Sequence, residues 1–318
     1  MSKIVGTVLR VLLGLVFAFS GLVKAIDPMG TQYKIADYFT AWDMSIGDTT
    51  ALVLAVLLIV AEFTIGALLV LGVQRKCASI GALAFMIIMT PITLWLAVTD
   101  AVADCGCFGD AIVLTNWQTF AKNVVLLVLA IAVIVFSRFS SSSRLSRIPG
   151  MISILAIVGI IALIGHCLYW LPVIDFRPFS VGSDIRAKME FPEDGSMPEI
   201  LDFCIESLEG EDVTEEVLDS KQAILLVAPF LQTVDVKDSI LYNNLAGDAV
   251  KRGKQFYCLT ASSEEEIAKW RKTTGANYGI YHADDIMLKT MVRSNPGIME
   301  LEHGIVTGKW SHHSLPFK

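Results

Sequence analysis

Two cysteines separated by a single glycine, Cys105-Gly106-Cys107, are the residues of this chain best suited to chemistry. Of the six cysteines they alone lie close together, inside the acidic stretch Asp104-Cys105-Gly106-Cys107-Phe108-Gly109-Asp110. Thiols this near can close a small disulfide ring, more strained and more easily reduced than an ordinary structural bridge. One thiolate of such a pair attacks a partner disulfide and the other resolves the mixed disulfide. Gly106 and Gly109 suit the tight turn, because glycine adopts the required backbone angles freely. Two blander readings stand beside this one: a glycine-rich turn with idle thiols, and a permanent staple. Asp104 and Asp110 are expected to raise the thiol pKa values by like-charge repulsion, which argues against an unusually reactive thiolate.

The elements that must position this loop are apolar. The chain is 54% hydrophobic with a mean hydropathy of +0.59, too high for an ordinary soluble protein. Five runs are each read as able to cross a bilayer, which takes about 20 helical residues: Ile4 to Val23, Ala51 to Gly72, Cys77 to Val98, Phe120 to Phe136 and Met151 to Leu171. No small-residue cleavage site follows the first run cleanly, so it is expected to stay as an anchor. Lys3, the Arg75-Lys76 pair and the Arg138, Arg144, Arg147 cluster fall on alternate connections, and the positive-inside rule places these in the cytoplasm. The loop holding Asp27, Asp37, Asp43 and Asp48, the Cys-Gly-Cys loop and everything after Leu171 then face the other side. In a bacterium that is the periplasm or exterior, where disulfides persist. The expectation is a multi-pass protein of the bacterial cytoplasmic membrane with a cytoplasmic N-terminus.

Charged residues inside spans need partners. Depths counted from the ends of the apolar runs differ by only about 5 Å between Arg10 and Glu62, within reach of a long Arg side chain, which predicts an Arg10–Glu62 ion pair; the alternative is that Arg10 snorkels to the interface. Lys24 closes the first span, followed by Asp27-Pro28. Pro91 is expected to kink the third span, and Gly14, Gly21, Gly66 and Gly81 to permit close helix contacts.

These residues carry a resemblance. Arg10, Gly14, Phe17, Ser20-Gly21, Lys24, Asp27-Pro28 and Gly30, then Glu62 with Gly66 and Gly72, resemble the first and second helices of DoxX-like membrane proteins. Cys105-Gly106-Cys107-Phe108-Gly109 followed by Asn123 resembles the MauE branch, the methylamine-utilisation proteins. The resemblance covers residues 4 to 136. It implies a four-helix membrane bundle acting in quinone-linked thiol redox, or in disulfide formation while a partner enzyme matures. A membrane quinone and an extracytoplasmic client protein are the partners it suggests. The fifth span is an addition to that pattern.

Charge divides the chain: residues 1–172 carry a net +2 and 173–318 a net −9. The acidic part reads as a water-facing domain and a poor partner for nucleic acid. The organisation expected is a DoxX/MauE-like unit over 1–137, a connection and fifth span over 138–172, a linker over 173–198 and a soluble domain over 199–318. In that domain Leu201 to Ser207, Gln222 to Ala228 and Gln255 to Thr260 read as strands. Val236 to Arg252 reads as a helix with Ile240, Leu241, Leu245 and Ala249 on one face, and Ser262 with Glu265 as a capping box. Asp284 to Arg293 reads as a further helix, and Gly297 to Trp310 as a hairpin turning at His303-Gly304.

That order, with Asn295-Pro296 before the hairpin, resembles a thioredoxin-like α/β domain. The resemblance implies that Pro296 is cis and faces the active site. The chain departs from it at Ala228-Pro229-Phe230-Leu231-Gln232-Thr233-Val234, which has no cysteine where such an enzyme carries Cys-x-x-Cys. Without a thiolate there the domain is expected to bind rather than to catalyse. Cys204 and Cys258 are expected to be buried strand residues. His166 and Cys167 in the fifth span read either as a base beside a third redox thiol or as helix packing. No zinc spacing or phosphate-binding glycine motif is found. Three functions follow: a membrane redox protein, a non-enzymatic scaffold, and a small-solute transporter suggested only by Arg10, Lys24 and Glu62.

Overall fold

The computed structural model describes residues 2–136, 147–193 and 195–315. The chain divides into two compact units, Met1–Leu168 and Tyr169–Lys318. The first is helical: α1 Ser2–Ile26, α2 Pro28–Ala41, α3 Asp48–Leu71, α4 Arg75–Thr99, α5 Asn116–Phe136 and α6 Arg147–Tyr169. Within them, Ile4–Ile26, Asp48–Leu71, Arg75–Thr99, Asn116–Phe136 and Ile148–Tyr169 are long and apolar enough to cross a membrane. The Arg138 and Arg144 used to orient the chain lie outside the described residues.

Glycines bring α1 and α3 together. A Cβ at Gly66 would stand 2.2 Å from the Ala18 nitrogen, one at Gly21 2.7 Å from that of Phe63, and one at Gly14 2.8 Å from Leu69 Cβ. Gly81 has ordinary room, with Ile65 at 3.5 Å. Helix α4 continues through Pro91. The acidic stretch after the first span, expected to be a loop, contains α2. Asp27 accepts from the Gly30 N–H at 2.9 Å and Pro28 opens the helix, the start signal of a capped helix with proline in its first turn.

The second unit is α/β, with a mixed six-stranded sheet in the order β1-β4-β3-β2-β5-β6. Its strands are β1 Ile205–Glu206, β2 Ala223–Val227, β3 Gln255–Thr260, β4 Gly279–Ala283, β5 Gly297–Glu302 and β6 Ile305–Ser311. The helices are α7 Ile185–Met189, α8 Thr214–Asp219, α9 Ser239–Lys251, α10 Glu264–Thr274 and α11 Asp285–Met291. β2 runs parallel to β3 and antiparallel to β5. It is buried throughout, Leu225 packing into one core and Ile224 and Leu226 into the other.

Several expectations shift. The strand over Leu201 to Ser207 shrinks to Ile205–Glu206, leaving Cys204 outside it and exposed, while Cys258 is fully buried in β3. The capping box is Ser263 with Glu266, one residue on. Ile240 is 68% exposed, and Tyr242, Leu245, Ala246 and Ala249 form the inner face of α9. The hairpin turns at His303-Gly304, and Asn295-Pro296 is cis.

Candidate active site

The Cys-Gly-Cys loop joins α4 to α5 and is tied down at both ends. Asn116 Nδ2, at the start of α5, donates to Asp100 Oδ1 at 2.9 Å and to the Val102 carbonyl at 3.1 Å. Asp104 Oδ1 accepts from the Gly106 N–H at 2.8 Å while Oδ2 pairs with Lys34 of α2 at 2.6 Å. Gly106 and Gly109 sit at φ +64° and +53°, and the Gly109 N–H closes the turn on the Gly106 carbonyl at 3.1 Å. At such angles a Cβ is strained, and one on Gly106 would also press on Lys34 Cγ at 3.1 Å.

This turn brings the two sulfurs to 2.9 Å. Cys105 is buried among Leu96, Val102, Tyr38 and Trp95, and Cys107 is half-buried. Their acidities split. The hydrogen bond from the Cys105 thiol draws Cys107 down to about 6 against the opposing effect of burial, helped by Lys122 and Lys24. The same hydrogen bond, with burial, holds Cys105 well above its ordinary value. The expected rise is found at Cys105, with the hydrogen bond and burial rather than the aspartates as its cause, and is corrected at Cys107. Asp104 is engaged by Lys34, and lysines surround Cys107 instead. Lys122 also stands 4.3 Å above the Phe108 ring, which packs on Phe19 at 5.6 Å. The two sulfurs are in direct contact and their acidities are shifted in opposite directions.

Glu62 does not pair with Arg10. Its Oε2 lies 2.6 Å from Lys24 Nζ, and Arg10 donates to the Val70 carbonyl at 3.4 Å. The glycine contacts explain the correction: with Gly21 against Phe63 and Gly14 against Leu69, Glu62 is level with the segment from Ser20 to Lys24. Arg10 stands about 18 Å further along α1. Counting from the ends of the apolar runs missed that α1 extends to Ile26 and that α3 starts at Asp48. Ser20 Oγ lies 2.7 Å from Glu62 Oε1 and 2.5 Å from the Cys107 carbonyl oxygen, so this cluster reaches the loop. Cys107, Ser20, Lys24, Glu62 and Lys122 line one small cavity.

Asp27 and Pro28 serve as cap and first residue of α2. Asn123 donates to Thr93 at 3.1 Å in the same bundle. His166 is exposed and Cys167 buried on α6. In the second unit Asn295, next to Pro296, donates to the Phe230 carbonyl at 3.1 Å and to Thr233 Oγ1 at 2.6 Å. Sequence reading missed Lys34 and Tyr38, which α2 carries to the loop; the Asp27-Pro28 start signal would have found that helix.

Residues 2–136 match the family model described as Methylamine utilisation protein MauE. No curated protein matches the chain. The solution structure of a candidate protein disulfide isomerase from Bacteroides thetaiotaomicron matches with a TM-score of 0.30 at 13% identity, covering 36% of this chain and 77% of that one. The family match spans α1 to α5 with the Cys-Gly-Cys loop, so the part of the chain that carries the site is similar to the MauE proteins.

Proposed function

We propose that this protein is a membrane thiol-disulfide oxidoreductase acting through Cys105 and Cys107 on the extracytoplasmic side of the bacterial cytoplasmic membrane. The observation that carries the reading is the pair of sulfurs at 2.9 Å with opposite acidity shifts. The Cys107 thiolate attacks one sulfur of a client disulfide; that S–S bond breaks and the other client sulfur leaves as thiolate. Cys105 then loses its proton and attacks the Cys107 sulfur, and the second client thiolate departs. The pair is oxidised by two electrons and the client is reduced by two. The reverse sequence oxidises a client dithiol. A membrane quinone, taking two electrons and two protons to the quinol, would restore the disulfide; the likeness to DoxX-like and MauE proteins supports that assignment. The mixed sheet and cis Asn295-Pro296 support a thioredoxin-like reading of the second unit. With Ala228-Pro229-Phe230 at the end of β2, it would hold the client rather than exchange with it.

The test is the in-cell redox state of the pair, read by acid trapping, alkylation and mass spectrometry before and after brief exposure to a reductant. A population that shifts, and is lost in Cys105→Ser or Cys107→Ser, is expected. A pair that stays oxidised throughout would leave a stapled scaffold, the reading favoured by the missing Cys-x-x-Cys.

A further inference from the structure

Ser20, Lys24 and Glu62 form a cluster that the exchange chemistry above does not use. They are 4%, 5% and 6% exposed. Burying an ion pair inside a bundle is costly unless further hydrogen bonds compensate. The compensation here is peculiar. The Ser20 hydroxyl has two acceptors before it, Glu62 Oε1 at 2.7 Å and the Cys107 carbonyl at 2.5 Å, while Lys24 Nζ donates to it at 3.4 Å. A hydroxyl carries one proton. With Glu62 ionised, Ser20 can satisfy the carboxylate or the carbonyl, not both. With a proton on Glu62, the carboxyl O–H donates to Ser20, and Ser20 donates to the carbonyl. The cluster therefore has a place for one more proton and two discrete hydrogen-bond arrangements. Cys107 and Glu62 also share a mostly apolar cavity of about 20 Å³ that Ser20, Lys24, Lys122 and Asn123 reach as polar partners, room for one water that can carry a proton between them.

We infer that Glu62 accepts the proton released when the Cys105/Cys107 pair is oxidised, and that Ser20 transmits this to the loop through the Cys107 carbonyl. The inference rests on the redox reading above. As the Cys105–Cys107 bond forms, the mixed disulfide between Cys107 and the client breaks and the second client sulfur leaves as thiolate, so that the client holds both electrons. The Cys105 thiol proton leaves beside the Cys107 sulfur, 2.9 Å away, which lines the cavity, and crosses that cavity to Glu62. Ser20 then turns from the carboxylate to the carbonyl and grips the loop in its oxidised state; reduction returns the proton. The charged groups facing Glu62 are Lys24 of α1, the two thiols of the loop and Lys122 of α5. Lys34 of α2 is engaged by Asp104, and α4 and α6 present apolar side chains such as Met86 and Ile160.

The experiment is the potential of the pair against pH, in the full chain in lipid nanodiscs poised by a soluble dithiol/disulfide buffer. Each proton released per two electrons steepens the slope by about 30 mV per pH unit. Wild type is expected to be shallower than Glu62→Gln by that amount, and equal slopes would overturn the inference. Should Glu62→Gln not fold, an infrared difference spectrum of wild type with isotope-labelled glutamate decides. A carboxylic-acid carbonyl band gained on oxidation is expected, and no band overturns the inference. A wild-type pair that exchanges no electrons with the buffer overturns the redox reading itself.

Discussion

Lys24 Nζ and Glu62 Oε2 meet at 2.6 Å with both side chains about 6% exposed, where α1 and α3 come together. Removing one partner strands the other charge. Lys24→Met is expected to destabilise the bundle by about 3–5 kcal/mol, and Lys24→Met combined with Glu62→Leu to recover most of it. Denaturation of the protein in detergent checks this; a double variant no better than the single would show that the pair is not the source of the loss.

Cys107 should be the reactive thiol. Its alkylation rate is expected to rise as pH climbs through about 6, because only the thiolate reacts. Cys105→Ala removes the hydrogen bond that contributes most to the lowering, so the midpoint moves up. Peptide mass spectrometry across a pH series gives both curves, and superimposed curves would refute the assignment of cause.

Gly66→Ala places a methyl 2.2 Å from backbone nitrogen of Ala18, which cannot rotate away. A loss of about 1–3 kcal/mol follows from overpacking. Gly81→Ala meets only ordinary contacts and gains helix propensity of up to about 1 kcal/mol. Thermal unfolding of the two variants side by side separates them; equal losses would contradict the close approach of α1 to α3.

The second unit carries its own titration. Lys309 is 4% exposed on its side chain, 2.6 Å from Asp175, and burial, aided by Arg177, lowers its pKa from 10.5 to about 8. Between those values the unfolded chain binds more protons than the folded one, so this group makes stability rise with pH across that window, by on the order of 3 kcal/mol in all. Lys309→Met should flatten the rise. Denaturant unfolding at a series of pH values measures it, and an unchanged slope in the variant would dismiss Lys309 as its source.

What the sequence disclosed follows from the reach of its signals. Long apolar runs mark five helices, and the tight Cys-Gly-Cys spacing marks the loop, because both are local patterns. The partner of Glu62 was not legible: it depends on the register of α1 against α3, which the Gly14, Gly21 and Gly66 contacts set in three dimensions. The split acidity of the thiols was hidden for the same reason. Asp104 is adjacent in sequence but engaged by Lys34, whereas Lys122 comes from a later helix. β4 escaped because Gly279–Ala283 is a short edge-side strand with only Ile280 fully inside.

The bundle grips the loop at the carbonyl of residue 107, a group every amino acid possesses. A change of side chain at this position leaves that acceptor in place. A Cys105→Ser protein should consequently present a correctly docked loop that can begin an exchange but cannot release its catch, making the protein a ready-made snare for covalent capture of its own client.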